Sequence, residues 1–213
     1  MTAAKKQTDA DRMTALAGIA GDVGRREWQE GMSLIRGIVY VHGMLEESSA
    51  EDFVRNLDTL EWMMDQGVVA PKRLVIKILH SEGGEAGAAF TMLDAARGMA
   101  KRQKLSITTE AYGDVMSAAA QVVLQAGDDR AAGPSTVFLM HEVSAFSGME
   151  KVSARQDISN YMDKSMTLMV HLMSERTGKT PDAIEDFIRR KDVSLTAKEA
   201  KKWGLIDRII QVK

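Results

Sequence analysis

Ser117 is the residue whose position most strongly suggests chemistry. It follows a strand-like segment and the turn Tyr112-Gly-Asp-Val-Met116, and it opens an alanine-rich helix. A serine at a helix start lies at the positive end of the helix dipole, beside backbone N–H groups without intrahelical partners. Such groups can stabilise an oxyanion, which makes Ser117 a candidate nucleophile. An N-cap is the commoner role of serine at this position, and position alone favours the N-cap.

A histidine would be needed to activate this serine, and the chain has four. His141 ends the apolar strand that follows the serine-bearing helix, so it is the first candidate for a general base. A hydrogen-bonded histidine at a strand end is the alternative. His80 precedes a pair of glycines and is the rival base. We interpret His42 and His171 as structural or surface residues.

Two further segments could supply groups to the same site. Gly83 and Gly84 could present backbone N–H groups to a carbonyl or a phosphate, although they lack the lysine and spacing of a phosphate loop and a tight turn would explain them equally well. Asp192 could orient a histidine, or it could be an ordinary loop aspartate. No group of His, Asp and Glu has convincing metal-ligand spacing. The absence of cysteine excludes thiolate zinc sites and a cysteine nucleophile.

Strand-like and helix-like segments alternate along the chain, which predicts an α/β fold with a largely parallel sheet. The predicted strands cover residues 35–41, 73–79, 105–111, 136–140 and 205–212. Gly113 is expected to break the third strand. Ligands gather at the carboxyl ends of strands in open α/β sheets. Residues 80–84, 112–117 and 140–144 follow three such ends and are expected to share one crevice.

A long helix is predicted from near Val152 to Arg176, and it carries an apolar stripe. The stripe consists of Ile158, Tyr161, Met162, Met166, Met169 and Met173. Their spacing places most of these residues on one helical face, which must be buried either on the same subunit or against a partner. The methionine content favours an adaptable interface.

Length and composition indicate one globular domain preceded by an arm. The chain has 213 residues, of which 45% are hydrophobic and 27% charged, and residues 1–30 show weak periodicity. We therefore divide it into an arm at 1–30 and a domain at 31–213. A formal net charge of −2 argues against a nucleic-acid partner. No secretory signal and no apolar run of about 20 residues is present, so we expect a soluble cytoplasmic protein without a membrane partner.

Taken together, these segments resemble the ClpP family, the proteolytic subunits of the Clp protease, and suggest a divergent or phage-type member. The resemblance covers residues 33 to 213 in one order. The segments that carry it are Ser81-Glu-Gly-Gly84, Gly113-Asp-Val-Met-Ser117, Met140-His141, Thr177-Gly178, Lys191-Asp192, Leu195-Thr-Ala-Lys-Glu-Ala200 and Trp203-Gly-Leu-Ile-Asp207. Each segment is short, but their joint occurrence favours the chemical interpretation of Ser117 and His141 over the structural one.

The resemblance implies a crotonase-like α/β fold of repeated strand-helix units with a protruding handle helix. It also implies a serine endopeptidase with a Ser-His-Asp triad of Ser117, His141 and Asp192. The backbone N–H groups of Gly84 and Ala118 would form the oxyanion hole, and neither a metal nor another cofactor is implied. The substrates would be unfolded polypeptides or peptides, cleaved inside two stacked homo-oligomeric rings, commonly heptameric. An AAA+ unfoldase would be the partner.

The chain departs from the family pattern around the predicted triad. Glu82 stands where the family usually has proline, Ala118-Ala119 replace Met-Gly, and Glu142-Val143 replace Gln-Pro. Three alternatives to the peptidase are a catalytically weak ring subunit, a crotonase-type acyl-CoA enzyme and a peptidase with a Ser-Lys dyad. Lys77 and Lys151 are the candidate lysines for the last, and neither is compelling.

Overall fold

The computed structural model describes residues 31–144 and 157–211, together with the backbone of residues 152–156. Within these residues, seven strands form one sheet. The strands are β1 (Ile38–Leu45), β2 (Arg73–Gly84), β3 (Ser106–Met116), β4 (Asp129–Ala132), β5 (Val137–Met140), β6 (Val193–Thr196) and β7 (Arg208–Ile209). The helices are α1 (Glu47–Asp65), α2 (Ala86–Gln103), α3 (Ser117–Gln121), a 3₁₀ turn (Val123–Ala126), α4 (Val152–Thr177), α5 (Pro181–Ile188) and α6 (Ala197–Trp203). The arm predicted at residues 1–30 lies outside the described residues.

The predicted α/β architecture is confirmed. Strands β1, β2, β3, β4 and β7 are parallel and neighbour one another in that order. Helices α1 and α2 pack against each other beside β1 and β2. On one face of β2, Leu74, Ile76 and Ile78 are fully buried. On the other face Val75 is buried, whereas Leu79 is 38% exposed, so that face of the sheet is only partly covered.

Strand β3 is longer than predicted and divides its outer edge between two neighbours. Residues 108–111 pair with β4, and residues 114–116 pair with β5. The sequence predicted that Gly113 ends the strand, and this was wrong. Gly113 adopts φ +70° and faces a second irregularity at His80, with φ +46°. The two positions absorb a bulge between β2 and β3, and pairing resumes beyond it.

Two four-residue strands were not predicted. β4 contains two alanines and two charged residues, and in β6 the two β-branched residues, Val193 and Thr196, are separated by serine and leucine. Neither strand therefore has the continuous β-branched run that identifies a strand. β6 is antiparallel to β5 and is therefore the exception to the parallel pattern. The last predicted strand, 205–212, is reduced to Arg208–Ile209 within the described residues.

A buried arginine anchors the sheet edge behind the 3₁₀ turn. The Arg130 side chain, on β4, donates two hydrogen bonds to the Asp207 carboxylate and one of 2.8 Å to Gln125 Oε1. Burial alone would raise the pKa of the Asp207 carboxyl, but the hydrogen bonds from Arg130 outweigh burial and hold that pKa below its usual value. Asp207 closes the Trp203-Gly-Leu-Ile-Asp207 segment, and this ion pair gives its aspartate a structural role.

The predicted long helix is present as α4, but its apolar stripe does not face one surface throughout. Met169 and Met173 are buried in the core of the same subunit. Met162 and Met166 are partly buried, whereas Tyr161 is more than half exposed. Of the two alternatives, burial on the same subunit therefore holds for Met169 and Met173 in the C-terminal half of the stripe. No helix of the described residues is both long and apolar enough to span a membrane.

Candidate active site

The glycine-rich end of β2 is fixed by a buried serine. Ser81 Oγ donates a 2.7 Å hydrogen bond to the carbonyl of Gly43 on β1 and accepts one of 3.3 Å from the Gly83 N–H. Gly83 adopts φ +83° and Gly84 φ +141°, conformations that only glycine adopts without strain. A side chain at Gly84 would also meet the backbone of Leu45, 2.2 Å away. The turn therefore requires both glycines.

Ser117 occupies a strained turn between β3 and α3. Its φ of +50° lies in the left-handed region, which costs an L-residue roughly 1–2 kcal/mol. Met116 before it is extended, so the chain reverses sharply at the serine. A side-chain carbon at Gly83 would lie 2.5 Å from Ser117 Cβ and 3.0 Å from the Ala118 nitrogen. Left-handed residues held by close packing are common at active sites, and a nucleophilic serine often occupies such a strand-to-helix turn.

His141 follows β5 and is half-buried beside the serine-bearing helix. Parallel pairing of Met116 with Leu139 brings the ends of β3 and β5 to the same edge of the sheet. His141 Nδ1 lies 2.5 Å from the carbonyl oxygen of Glu142. A carbonyl can only accept, so this contact is a hydrogen bond when Nδ1 carries the proton, which in a neutral ring leaves Nε2 unprotonated. This is the tautomer that a general base requires.

A cavity of about 750 Å³ brings most of the predicted site residues together. Ser117, His141, Gly84 and Ala118 all line it. Ala118 is the second residue of α3, so its N–H is one of those that have no acceptor within the helix. The crevice expected from three strand ends is present, because the β2, β3 and β5 ends all contribute to this cavity.

The backbone of Asp192 is close to that of His141 in the sheet, but the Asp192 side chain does not line the cavity. Antiparallel pairing of Met140 with Val193 makes His141 and Asp192 the next residues beyond that pair. The Asp192 side chain is exposed and is not among the described residues that line the cavity. Glu142 connects the two segments, since its Oε2 accepts a 3.1 Å hydrogen bond from the Arg190 N–H.

The rival groups that the structure describes lie outside this cavity, and Lys151 is not among the described residues. His80 is on the exposed bulge, with Nδ1 3.7 Å from Asp114 Oδ2. His42 lines a separate cavity beside α1, and His171 is exposed on α4. Lys77 lies 3.5 Å from Glu110 in an ion pair. Of the described candidate bases, His141 is therefore the one that shares a cavity with Ser117.

Among the described residues that line the cavity, the carboxylates are the charged side chains apart from His141. They are Glu46, Glu82, Glu85 and Glu142, and no described lysine or arginine lines the cavity. Two of them, Glu82 and Glu142, occupy positions where the sequence departs from the family pattern. Carboxylates at a partly enclosed surface create a negative potential that attracts cationic groups. The cavity also has apolar walls, formed in part by Phe90 on α2.

Sequence reasoning did not identify Gln121, whose buried side chain bonds to the backbone of His141. A signal was present, because this glutamine, at the end of α3, interrupts a run of alanine, valine and leucine. A polar residue inside an apolar helix needs a partner when it is buried.

Comparison with known proteins assigns the chain to a family. The family model described as Clp protease matches residues 24–213. The chain therefore belongs to the Clp protease family.

Curated relatives of known name agree with this assignment. The chain is 30% identical over 179 residues to ATP-dependent Clp protease proteolytic subunit 3 of Nocardia farcinica, covering 83% of this chain and 76% of the relative. It is 30% identical over 178 residues to proteolytic subunit 1 of Corynebacterium efficiens, covering 83% and 80%. Proteolytic subunit 2 of Mycobacterium leprae is 30% identical over 185 residues, covering 83% and 78%.

The contact between Gly83 and Ser117 can be tested by substitution. Gly83→Ala would combine a left-handed φ with a clash 2.8 Å from the Met116 carbonyl oxygen. Gly67→Ala is the matched control, since Gly67 has φ +68° and nothing within 4 Å of its added carbon. We expect Gly67→Ala to lower the free energy of unfolding by about 1 kcal/mol. The added clash should bring the loss in Gly83→Ala to roughly 3 kcal/mol. Equal losses in denaturant unfolding would show that Ser117 does not fill this space.

Proposed function

We propose that this protein is a serine endopeptidase in which Ser117 is the nucleophile and His141 the general base. The observation that carries the proposal is the strained Ser117 turn, which shares a cavity with a histidine whose Nδ1 contacts the Glu142 carbonyl and leaves Nε2 as the nitrogen to accept a proton. Membership of the Clp protease family and the names of the curated relatives support it. The substrate class is polypeptide.

The reaction proposed here follows the chemistry of a serine triad. Ser117 Oγ attacks the peptide carbonyl while His141 Nε2 accepts its proton, and the N–H groups of Gly84 and Ala118 stabilise the oxyanion. His141 then protonates the leaving amine. Water hydrolyses the resulting acyl-enzyme, with His141 again accepting and returning a proton.

Asp192 is proposed as the third member of the triad. Its backbone neighbours that of His141, while the Glu142 carbonyl occupies the Nδ1 position that a triad aspartate takes. A rotation of the imidazole from the Glu142 carbonyl to Asp192 would complete the triad and keep the tautomer unchanged. The exposed Asp192 side chain also favours a second candidate function, a ring subunit that does not hydrolyse peptides.

The triad proposal is tested by three single substitutions. We expect Ser117→Ala to abolish peptide hydrolysis and labelling by a fluorophosphonate probe, because loss of the nucleophile costs on the order of 10⁶ in kcat. His141→Gln should cause a comparable loss. His80→Gln is the matched control, with a histidine outside the cavity, and should remain active.

The measurements are peptide-hydrolysis rates and mass spectrometry of the labelled residue. Hydrolysis by wild type with label on another residue would refute the role of Ser117. Loss of activity in His80→Gln but not in His141→Gln would exchange the two roles. A folded wild-type protein that neither hydrolyses peptides nor binds the probe would favour the inactive ring subunit.

We also propose that the exposed side of α4 contacts a second copy of the chain, as two stacked rings require. Tyr161 and Leu168 are 56% and 57% exposed and lie two helical turns apart. They border a groove of about 480 Å³ between α2 and α4, which is also lined by Phe90 and Leu172. Burial of two large apolar side chains favours association. An ATP-dependent partner, suggested by the names of the relatives, belongs to the same proposal, as does the heptameric ring that the family resemblance implies.

A carboxylate on this surface should disrupt the assembly. We expect Leu168→Asp to yield particles of smaller mass by light scattering, because the contact would bury an unpaired charge. Thr167→Asp is the matched control, since it introduces the same carboxylate at the preceding, exposed position of α4. A wild-type monomer at micromolar concentration would refute the assembly. Leu168→Asp at full wild-type mass would show that the contact lies elsewhere.

The acidic lining of the cavity predicts a preference for basic peptides. We expect kcat/KM to be higher for a peptide with lysines near the cleaved bond than for the same peptide with glutamates. Glu82→Gln with Glu85→Gln should reduce that ratio by roughly two- to fivefold for each residue at low salt. Glu51→Gln, on the exposed side of α1 and outside this cavity, is the control. An unchanged ratio in the double variant would refute electrostatic selection by these glutamates.

A further inference from the structure

Gln121 is a buried amide at the end of the serine-bearing helix. Its side chain is 1% exposed, and it lies four residues after Ser117 in α3. A buried primary amide that lacked partners would cost several hydrogen bonds. The position is therefore favourable only if surrounding groups satisfy both the oxygen and the nitrogen.

Both ends of this amide bond to the backbone of one residue. Gln121 Oε1 accepts a 3.3 Å hydrogen bond from the His141 N–H, and Gln121 Nε2 donates one of 3.0 Å to the His141 carbonyl. The described pairing of β5 with β3 ends at Leu139, and that of β5 with β6 ends at Met140. His141 thus lies just past the sheet, and the amide of Gln121 replaces the neighbouring strand that it lacks.

We propose that Gln121 is a positioning residue that holds His141 in register with Ser117. Two hydrogen bonds to the same residue restrict its orientation as well as its distance. Ser117 and Gln121 belong to a single turn of α3, so a displacement of the serine carries the histidine with it. This inference rests on the proposed peptidase function, in which Ser117 and His141 exchange a proton.

The same amide also connects the site to α4. Gln121 Nε2 lies 3.1 Å from Met169 Sδ, which is buried in the core. Sulfur is a weak acceptor, so this contact adds less than the bonds to His141. It nevertheless makes α4 the third element that bears on the position of the base.

Gln125 provides a matched comparison. It is also a glutamine, it is fully buried, and it lies in the 3₁₀ turn that follows α3. Its amide bonds to the Ala120 carbonyl at 2.9 Å and to Arg130 at 2.8 Å. Neither partner belongs to the candidate active site, so Gln125→Met should reproduce the loss of a buried amide without releasing His141.

The experiment compares Gln121→Met, Gln121→Asn and Gln125→Met with wild type. Met keeps the volume and removes both bonds, whereas Asn keeps the polarity but is one methylene too short to reach His141. We expect both Gln121 variants to lower kcat by about 10- to 100-fold with KM near its wild-type value. Gln125→Met should retain kcat even where its unfolding midpoint falls as much. Kinetics are measured where unfolding curves show every variant to be folded.

Amide hydrogen exchange supplies a readout that does not depend on catalysis. The N–H of His141 should exchange faster in both Gln121 variants and at the wild-type rate in Gln125→Met, because only the former lose its acceptor. Unchanged exchange at His141 in the Gln121 variants would overturn the inference. So would faster exchange with wild-type kcat, or an equal loss of kcat in Gln125→Met. If wild type proves inactive, the proposed function fails, and exchange alone decides whether Gln121 positions His141.

Discussion

The close approach of Gly83 to Ser117 is the constraint on which the candidate site depends. A Cβ atom at residue 83 would lie 2.5 Å from Ser117 Cβ, so β2 and the β3–α3 turn fit together only if residue 83 has no side chain. That contact keeps Ser117 in its left-handed conformation and places the following glycine beside the same cavity. The strain at the serine is therefore stabilised by packing, and Ser81 holds the packed turn through its bond to Gly43.

This constraint explains why the sheet is irregular around the site. Strands β2 and β3 must each run past the bulge at His80 and Gly113 before they reach the cavity. Beyond the bulge, β3 leaves β4 and pairs with β5, which brings His141 to the edge where Ser117 begins its helix. A straight β3 paired with β4 alone would leave no neighbour to carry the histidine. The bulge thus positions the site without contributing a side chain to it.

The sequence predicted the fold class and most of the cavity because those features have local signals. Ser117 opens a helix after a strand, and His141 ends an apolar strand. The role of Gln121 could not be predicted, since its bonds reach a residue 20 positions away and a methionine 48 positions away. The prediction that Gly113 breaks the third strand was wrong for the same reason, because pairing with strands distant in the sequence continues β3 past this glycine. Periodicity showed that Met169 shares a helical face but not that its own subunit covers that face.

Glu142 links the imidazole of His141 to the loop that carries Asp192, the proposed third member of the triad. Its carbonyl accepts the proton on His141 Nδ1, and its carboxylate accepts the N–H of Arg190, two residues before Asp192. The imidazole of His141 and the loop of Asp192 are thus both hydrogen-bonded to Glu142, one to its backbone and the other to its side chain. A shift of that loop would move Asp192 and Glu142 together. In the proposed triad, an assembly contact that moved this loop would let the imidazole of His141 exchange the Glu142 carbonyl for the Asp192 carboxylate. Gln121 would keep the backbone of His141 in place during this change.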